Sequence, residues 1–213
     1  ISASEEELRE QYEELAVTQE DLQRHKLQLE EIAGTLPGVI YQFYARPDGS
    51  MGLYYVSSRA ADVFGISSNP EDFFERFTQH VDPRDREAFL QSNVDVARDG
   101  RPWHFEGRFI KPSGDEIWFE GISRPIRRDH ELVFNGVMLD ITARKRAEEA
   151  LFNSQQMLQA VLDSIPQRVF WKDSNSVFLG CNKPLALDAG FSEPADMVGK
   201  TDYDHASHET ADL

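Results

Sequence analysis

One cysteine, no long apolar run and a shortage of positive charge set the first bounds on this 213-residue chain. The lone Cys181 excludes an intramolecular disulfide framework and fits a reducing compartment, so the expected location is cytoplasmic. No stretch of about 18 apolar residues occurs, which excludes a transmembrane helix within the sequence. The N-terminus is acidic where a secretory leader needs a basic region followed by an apolar one. Lys and Arg number 22 against 38 Asp and Glu, a net charge of −16. That balance argues against a nucleic-acid backbone or an anionic membrane surface as partner. A glycine-rich phosphate loop is missing, and so is a nucleophile set beside a base, so the segment itself is expected to be non-catalytic. The chain begins at Ile1 rather than Met, and reads as a piece of something larger.

What is present is a series of helix and strand signals. Residues 4–33 hold neither Pro nor Gly and are rich in Glu, Gln and Leu, which favour helix. Leu8, Leu15, Leu22, Leu29 and Leu36 fall seven apart, while the companion positions Tyr12, Gln19, Lys26 and Ala33 are mostly polar. This is the pattern of a parallel coiled coil over residues 1–36, joining two copies of the chain as a homodimer. The same leucines also fit a single amphipathic helix lying on its own domain. A second helix over 143–165 carries its own 4-3 spacing through Ala147, Leu151, Ser154, Leu158, Val161 and Ile165, with Leu151 and Leu158 in the seam.

Between these helices, residues 37–142 read as one α+β domain. Pro37-Gly38 stops the first helix, and Pro47-Asp48-Gly49-Ser50 turns between the strands 39–46 and 51–56. Helices are expected over 57–64, from Asn69-Pro70, and over 84–98, where Phe89, Leu90, Val94 and Val96 give an apolar side. Strands follow over 103–110, 116–124 and 132–139, with 127–130 as a polar turn. Five strands with the helices in the middle imply a sheet covered on one face. The last strand, 132–139, feeds a helix with almost no loop. Asp140 and Thr142 stand at the changeover, and both residue types cap helix N-termini. With Ile141 and with Trp118 of the preceding strand, they form the expected signal-relay junction.

The chain also repeats itself. Leu29, Leu36, Pro37, Ile40 and Tyr41 recur as Leu158, Ile165, Pro166, Val169 and Phe170, each 129 positions later. The second copy has 48 residues from Pro166 to Leu213, against 106 from Pro37 to Thr142. Residues 166–213 are therefore the N-terminal half of a second domain, either incompletely folded or completed by a partner chain.

At this point the residues resemble a known family. Tyr55-Val56-Ser57, Phe64-Gly65, Asp82-Pro83-Arg84-Asp85-Arg86, Gly114-Asp115-Glu116-Ile117-Trp118 and Gly136 through Asp140-Ile141-Thr142 are similar to PAS (sensory-box) domains over 37–142. Asp140-Ile141-Thr142 followed by a charged helix is typical of their exit. Phe170-Trp171-Lys172-Asp173, Leu179-Gly180-Cys181-Asn182 and Val198-Gly199-Lys200-Thr201-Asp202-Tyr203-Asp204 resemble the opening half of such a domain. The first helix resembles linkers of bacterial and archaeal sensor kinases and cyclic-di-nucleotide enzymes. The resemblance implies an antiparallel sheet in the order 2-1-5-4-3, with a pocket between sheet and helices. It also implies a sensory and regulatory role in signal transduction, in a two-component or cyclic-di-nucleotide system, with a separate output domain such as a histidine kinase, a diguanylate cyclase or a phosphodiesterase.

The stimulus stays open. Tyr41, Phe43, Tyr55, Phe74, Phe77, Phe105 and Phe119 are the candidate pocket lining, and together with Phe109 they serve equally well as plain core. The expected occupant is none or a small organic ligand. His80, just before the helix 84–98, is the one haem candidate, because imidazole is a common axial ligand. A cysteinyl-flavin photosensor is excluded, since residues 37–142 hold no Cys. Non-covalent flavin stays possible. Asp202, Asp204, His205 and His208 have ligand types suited to zinc but fall in a tail, and no metal site is expected. Ser207-His208-Glu209 opens like a phosphoacceptor box, but Thr210-Ala211-Asp212-Leu213 does not continue it. The alternatives are a purely structural dimerisation module without ligand and a haem- or flavin-bearing redox or gas sensor.

Overall fold

The computed structural model describes residues 3–204, except for the side chains of residues 3–14 and of Leu22, Lys26 and Leu29. The seam leucines Leu8, Leu22 and Leu29 therefore lie outside the described side chains, and Ser207-His208-Glu209, like His205, lies outside the described residues. The chain divides into two compact units, residues 1–145 and 146–213.

In the first unit, helix α1 (Ala3–Thr35) leads into strands β1 (Val39–Ala45) and β2 (Met51–Val56). The β1–β2 hairpin turns as its residues dictate: Gly49 takes φ 85°, and Asp48 Oδ1 accepts from the Ser50 N–H at 2.8 Å. Three helices follow, α2 (Ala60–Phe64), α3 (Pro70–His80) and α4 (Pro83–Asp99). Asn69 and Asp82 cap the last two with side-chain oxygens, each followed by Pro in the first turn. Gly65 and Gly100 end α2 and α4 in the left-handed conformation that glycine adopts without strain. Strands β3 (Trp103–Ile110), β4 (Glu116–Arg128) and β5 (Glu131–Asp140) complete an antiparallel sheet of order β2-β1-β5-β4-β3. This is the α+β architecture and strand order expected from the sequence.

Strand β4 runs four residues past its expected end at Arg124, through Pro125 and into the expected turn 127–130. The register explains the tolerance. Trp103 pairs with Ser123 at the start of β3, so beyond Ser123 strand β4 pairs only with β5, where Pro125 sits opposite Phe134. A proline is accepted where one side of a strand is unpaired. On α4 the buried stripe is Phe89, Asn93 and Val96, whereas Leu90 and Val94 stay 40% and 46% exposed. The polar Asn93 hides this stripe from a hydrophobicity reading.

The core is aromatic and lies between the inner sheet face and α2–α4. Phe77 is its hub. Its ring is 4.8 Å from Phe109, 5.1 Å from Phe64, 5.1 Å from Phe119, 5.7 Å from Phe89 and 5.8 Å from Phe73, centroid to centroid. The contacts to Phe64 and Phe119 are edge-to-face, at 85° and 87°, the arrangement that the ring quadrupole favours.

The second unit takes most of helix α5 (Thr142–Ser164), then β6 (Phe170–Lys172), β7 (Phe178–Cys181), α6 (Lys183–Asp188) and two 3-10 turns at Pro194–Met197 and Asp202–Asp204. A small core gathers Phe178, Cys181, Ala186 and Met197. One closure occurs in both units. In the first, the Ile40 N–H donates to Ser57 Oγ (3.0 Å) and the Ser57 N–H donates to the Ile40 carbonyl (2.8 Å). In the second, the Val169 N–H donates to Asn182 Oδ1 (3.0 Å) and the Asn182 N–H donates to the Val169 carbonyl (2.9 Å). The partners stand 17 residues apart in the first unit and 13 in the second.

Removing the hub ring tests the core. Phe77→Ala is expected to lower the unfolding free energy of the first unit by about 3–5 kcal/mol, read as a lower midpoint in urea.

Candidate functional site

Two features of the first unit bear on function: an internal cavity, and the junction at which the sheet becomes a helix. The cavity has a volume of about 30 Å³ and lies between the five-stranded sheet and the helices α3 and α4. Tyr41, Phe43, Phe74 and Phe77 line it, as do Leu53, Phe73, Phe89, Asn93, Val96, Trp103, Ser123, Phe134 and Met138. Its few polar groups are engaged. The Tyr41 hydroxyl is hydrogen-bonded to Ser123, and burial pushes its pKa well above the ordinary phenol value. Asn93 Nδ2 donates to the Phe89 carbonyl at 2.8 Å, and Trp103 Nε1 donates to Ser92 Oγ at 2.9 Å. The volume suits one or two water molecules. Drug-sized ligands occupy about 300 Å³ or more, so haem or flavin enters only if α3 and α4 part from the sheet.

Three of the expected lining residues lie elsewhere. A bulge between Gln42 and Phe43 sets Leu53 opposite Phe43 and Tyr55 opposite Gln42, so Leu53 reaches the cavity and Tyr55 does not. Phe105 stacks on Trp103 at 6.2 Å with the rings nearly parallel, and only Trp103 reaches the cavity. Phe119 is fully buried among Phe64, Phe77, Phe89 and Phe109. His80 is not aimed at the cavity either. Its Nδ1 lies 3.0 Å from the Arg76 carbonyl and its ring stacks on Phe109 at 5.6 Å, so a haem ligand from this position requires α3 to turn. Of the lining residues not expected, Phe73 stands four before the expected Phe77 on α3, and Phe89, Asn93 and Val96 repeat at i, i+4 and i+7 on α4, a signal present in the sequence.

The junction brings its four expected residues together. Asp140 Oδ1 accepts from both the N–H (2.9 Å) and the hydroxyl (2.5 Å) of Thr142. The Trp118 N–H donates to Thr142 Oγ1 at 2.9 Å, and the Ile141 N–H donates to the Trp118 carbonyl, also at 2.9 Å. Trp118 thus holds Ile141 and the first residue of α5 by both of its backbone groups. The first turn of α5 is tied to the sheet a second time. Glu106 and Glu120 stand directly opposite each other on β3 and β4, an arrangement that repels unless cations intervene. Lys145 Nζ meets Glu106 at 2.6 Å, while Arg144 meets Glu106 at 2.8 Å and Glu120 at 3.5 Å. His104 Nε2 adds a contact to Glu120 at 2.8 Å. Ligand atoms of His104, Glu106 and Glu120 lie within 4.8 Å of one another. The helix cations already compensate these carboxylates, so the cluster is an ion-pair hub.

Lys145 and Arg144 hold the Glu106 carboxyl down to about 2, from an ordinary value of 4.5. A lowered carboxylate pKa gives stability that is complete above the ordinary value and is lost as pH falls through the lowered one. The tie of α5 to β3 is therefore expected to weaken between pH 4.5 and about 2. Asp82 and Asp85 are also lowered, by Arg84 and Arg108, and both remain in a Glu106→Gln variant. Amide exchange at Lys145, compared between the two proteins across this range, should show a smaller pH response in the variant.

Residues 53–138 match the family model described as PAS fold. No curated protein matches the chain. Among solved structures, the N-terminal domain of a diguanylate cyclase with PAS/PAC sensor from Marinobacter aquaeolei is similar at 18% identity, over 50% of this chain and 98% of that one, with a TM-score of 0.43. A sensory box histidine kinase/response regulator from Burkholderia thailandensis is similar at 23% identity, over 57% and 91%, with a TM-score of 0.43. The PAS domain of an HTR-like protein from Haloarcula marismortui is similar at 18% identity, over 59% and 99%, with a TM-score of 0.42. The matched residues run from β2 through β5, and this part of the chain is similar to the PAS fold.

Proposed function

We propose that the chain is a sensory and regulatory segment of a signal-transduction protein, and that it passes the state of its first domain through α5 to a downstream output domain. The observation that carries the reading is the junction. Asp140, Ile141, Thr142 and Trp118 join sheet to helix without an intervening loop, through short hydrogen bonds. A displacement of β5 or β4 then moves the helix start, because packed elements shift between discrete arrangements rather than deform. Output by a histidine kinase, a diguanylate cyclase or a phosphodiesterase, and a cytoplasmic setting, are parts of this proposal. No helix among the described residues is long and apolar enough to cross a membrane.

Homodimerisation through parallel helices belongs to the same reading. Leu15 of α1 is 54% exposed and Leu36, just past its end, 44%, while on α5 Leu151 and Leu158 are 61% and 59% exposed. Apolar side chains so exposed at heptad spacing fit a partner helix. The second unit fits the opening of a second domain of the same kind, entered through α5. The support is the closure at Val169 and Asn182, which repeats that at Ile40 and Ser57.

The small cavity favours a second reading, a dimerisation module with no resident ligand. Absorbance and native mass spectrometry of the purified protein separate the two. A Soret band, flavin bands or a co-purified small molecule supports a cofactor or ligand sensor, and a colourless protein of the bare chain mass supports the structural module. The relay is tested in the parent protein. Thr142→Ala removes the acceptor of the Trp118 N–H and is expected to lower stability by about 1–2 kcal/mol while abolishing regulation of the output, and retained regulation would refute the relay. Leu151→Glu with Leu158→Glu is expected to shift the protein from dimer to monomer in sedimentation equilibrium.

A further inference from the structure

Strand β5 is not the only element that reaches the exit helix. Helix α4 lines the cavity with Phe89, Asn93 and Val96, and one turn before Phe89 it carries Asp85. That carboxylate grips Arg108 of β3 three times: Oδ1 to Nη2 at 2.7 Å, and Oδ2 to Nε at 2.8 Å and to the backbone N–H at 2.9 Å. Both side chains are only 20% exposed. A bidentate, charge-assisted pair of this kind fixes orientation as well as distance. The start of α4 is also docked on the same strand, since the Asp82 N–H donates to the Arg108 carbonyl at 2.9 Å.

Arg108 pairs directly with Trp118 across the β3–β4 ladder, and its guanidinium carbon lies 5.5 Å from the indole centroid. The ammonium of Lys145 lies 5.2 Å from the same centroid. Lys145 belongs to the first turn of α5 and donates its N–H to the Ile141 carbonyl at 3.0 Å. One indole therefore carries a cation from the strand held by α4 and a cation from the exit helix. Both lie within the range at which the ring quadrupole attracts a cation.

We propose that Asp85, Arg108, Trp118 and Lys145 form a second coupling route, from the cavity helix α4 to the first turn of α5, parallel to the route through β5. Asp85 and Arg108 are positioning residues in it. A movement of α4 that opens the cavity draws on Arg108, alters the cation–indole geometry at Trp118 and so changes how Lys145 is held. This deepens the relay reading, because it supplies the link between cavity and helix that the β5 route lacks on the α4 side.

The test is residue-resolved amide hydrogen exchange on the full chain. Asp85→Asn and Trp118→Leu are expected to speed exchange at Lys145 by roughly 3- to 30-fold, the range that one cation–π contact or charged hydrogen bond supplies. Exchange at Phe43 of β1 and Phe134 of β5 is expected to stay unchanged. Asp85→Glu and Trp118→Phe, which keep the carboxylate and the aromatic face, are expected to hold Lys145 within about twofold of the parent, inside the spread of such contacts. Unchanged exchange at Lys145 in Asp85→Asn overturns the route. So does an equal rise at Lys145, Phe43 and Phe134, which would mark a merely structural residue. The readout involves neither ligand nor output domain, so its failure is separable from that of the relay, which is read as regulation in the parent protein.

Discussion

The hydrogen bond from the Trp118 N–H to Thr142 Oγ1 is the constraint around which the first domain is arranged. It exists because β4 lies beside β5 and because β5 ends where Thr142 can turn its hydroxyl back toward the sheet. Asp140 completes the set by accepting from Thr142. An α-helix begins with N–H groups that have no partner inside the helix. Here part of that need is met within the junction itself, and Thr142 gives its oxygen to the sheet. Helix and sheet thus share one small polar network, and neither can shift without disturbing the other.

Around this network the charges are placed with the same economy. Strands β3 and β4 set two carboxylates face to face, Glu106 and Glu120, and the first turn of α5 supplies Arg144 and Lys145 between them. The chain carries 38 acidic residues against 22 basic ones, so each cation kept at one place leaves many carboxylates elsewhere to solvent. Two of these cations lie side by side at the helix start, where they balance the two carboxylates.

The architecture was legible because its signals are local. Proline-led helix starts at Asn69 and Asp82, glycine ends at Gly65 and Gly100, and the Asp140-Ile141-Thr142 exit all depend on residues within one turn of each other. The cavity lining was legible only in part, because it depends on register. Leu53 and Tyr55 stand two apart and would share a face of an unbroken β2, but the extra residue Tyr54, skipped in the register, sets Leu53 opposite Phe43 while Tyr55 stays opposite Gln42. Asn93 was missed for a related reason, since a polar residue in a buried stripe breaks the pattern by which stripes are recognised. The extension of β4 through Pro125 required knowing where its other neighbour begins. The pairing of Asp85 with Arg108 spans 23 residues and leaves no periodic trace at all.

The closure that ties Ile40 to Ser57 in one unit and Val169 to Asn182 in the other is made with two chemically unlike side chains. One is a hydroxyl on a single carbon and the other an amide one atom longer, yet both place an oxygen about 3.0 Å from the strand N–H and both return their own N–H to the same residue's carbonyl. What is kept is an acceptor at a distance, not an amino acid. Comparison by residue identity therefore sees a mismatch where the backbone makes the same pair of hydrogen bonds, across hairpins of different length.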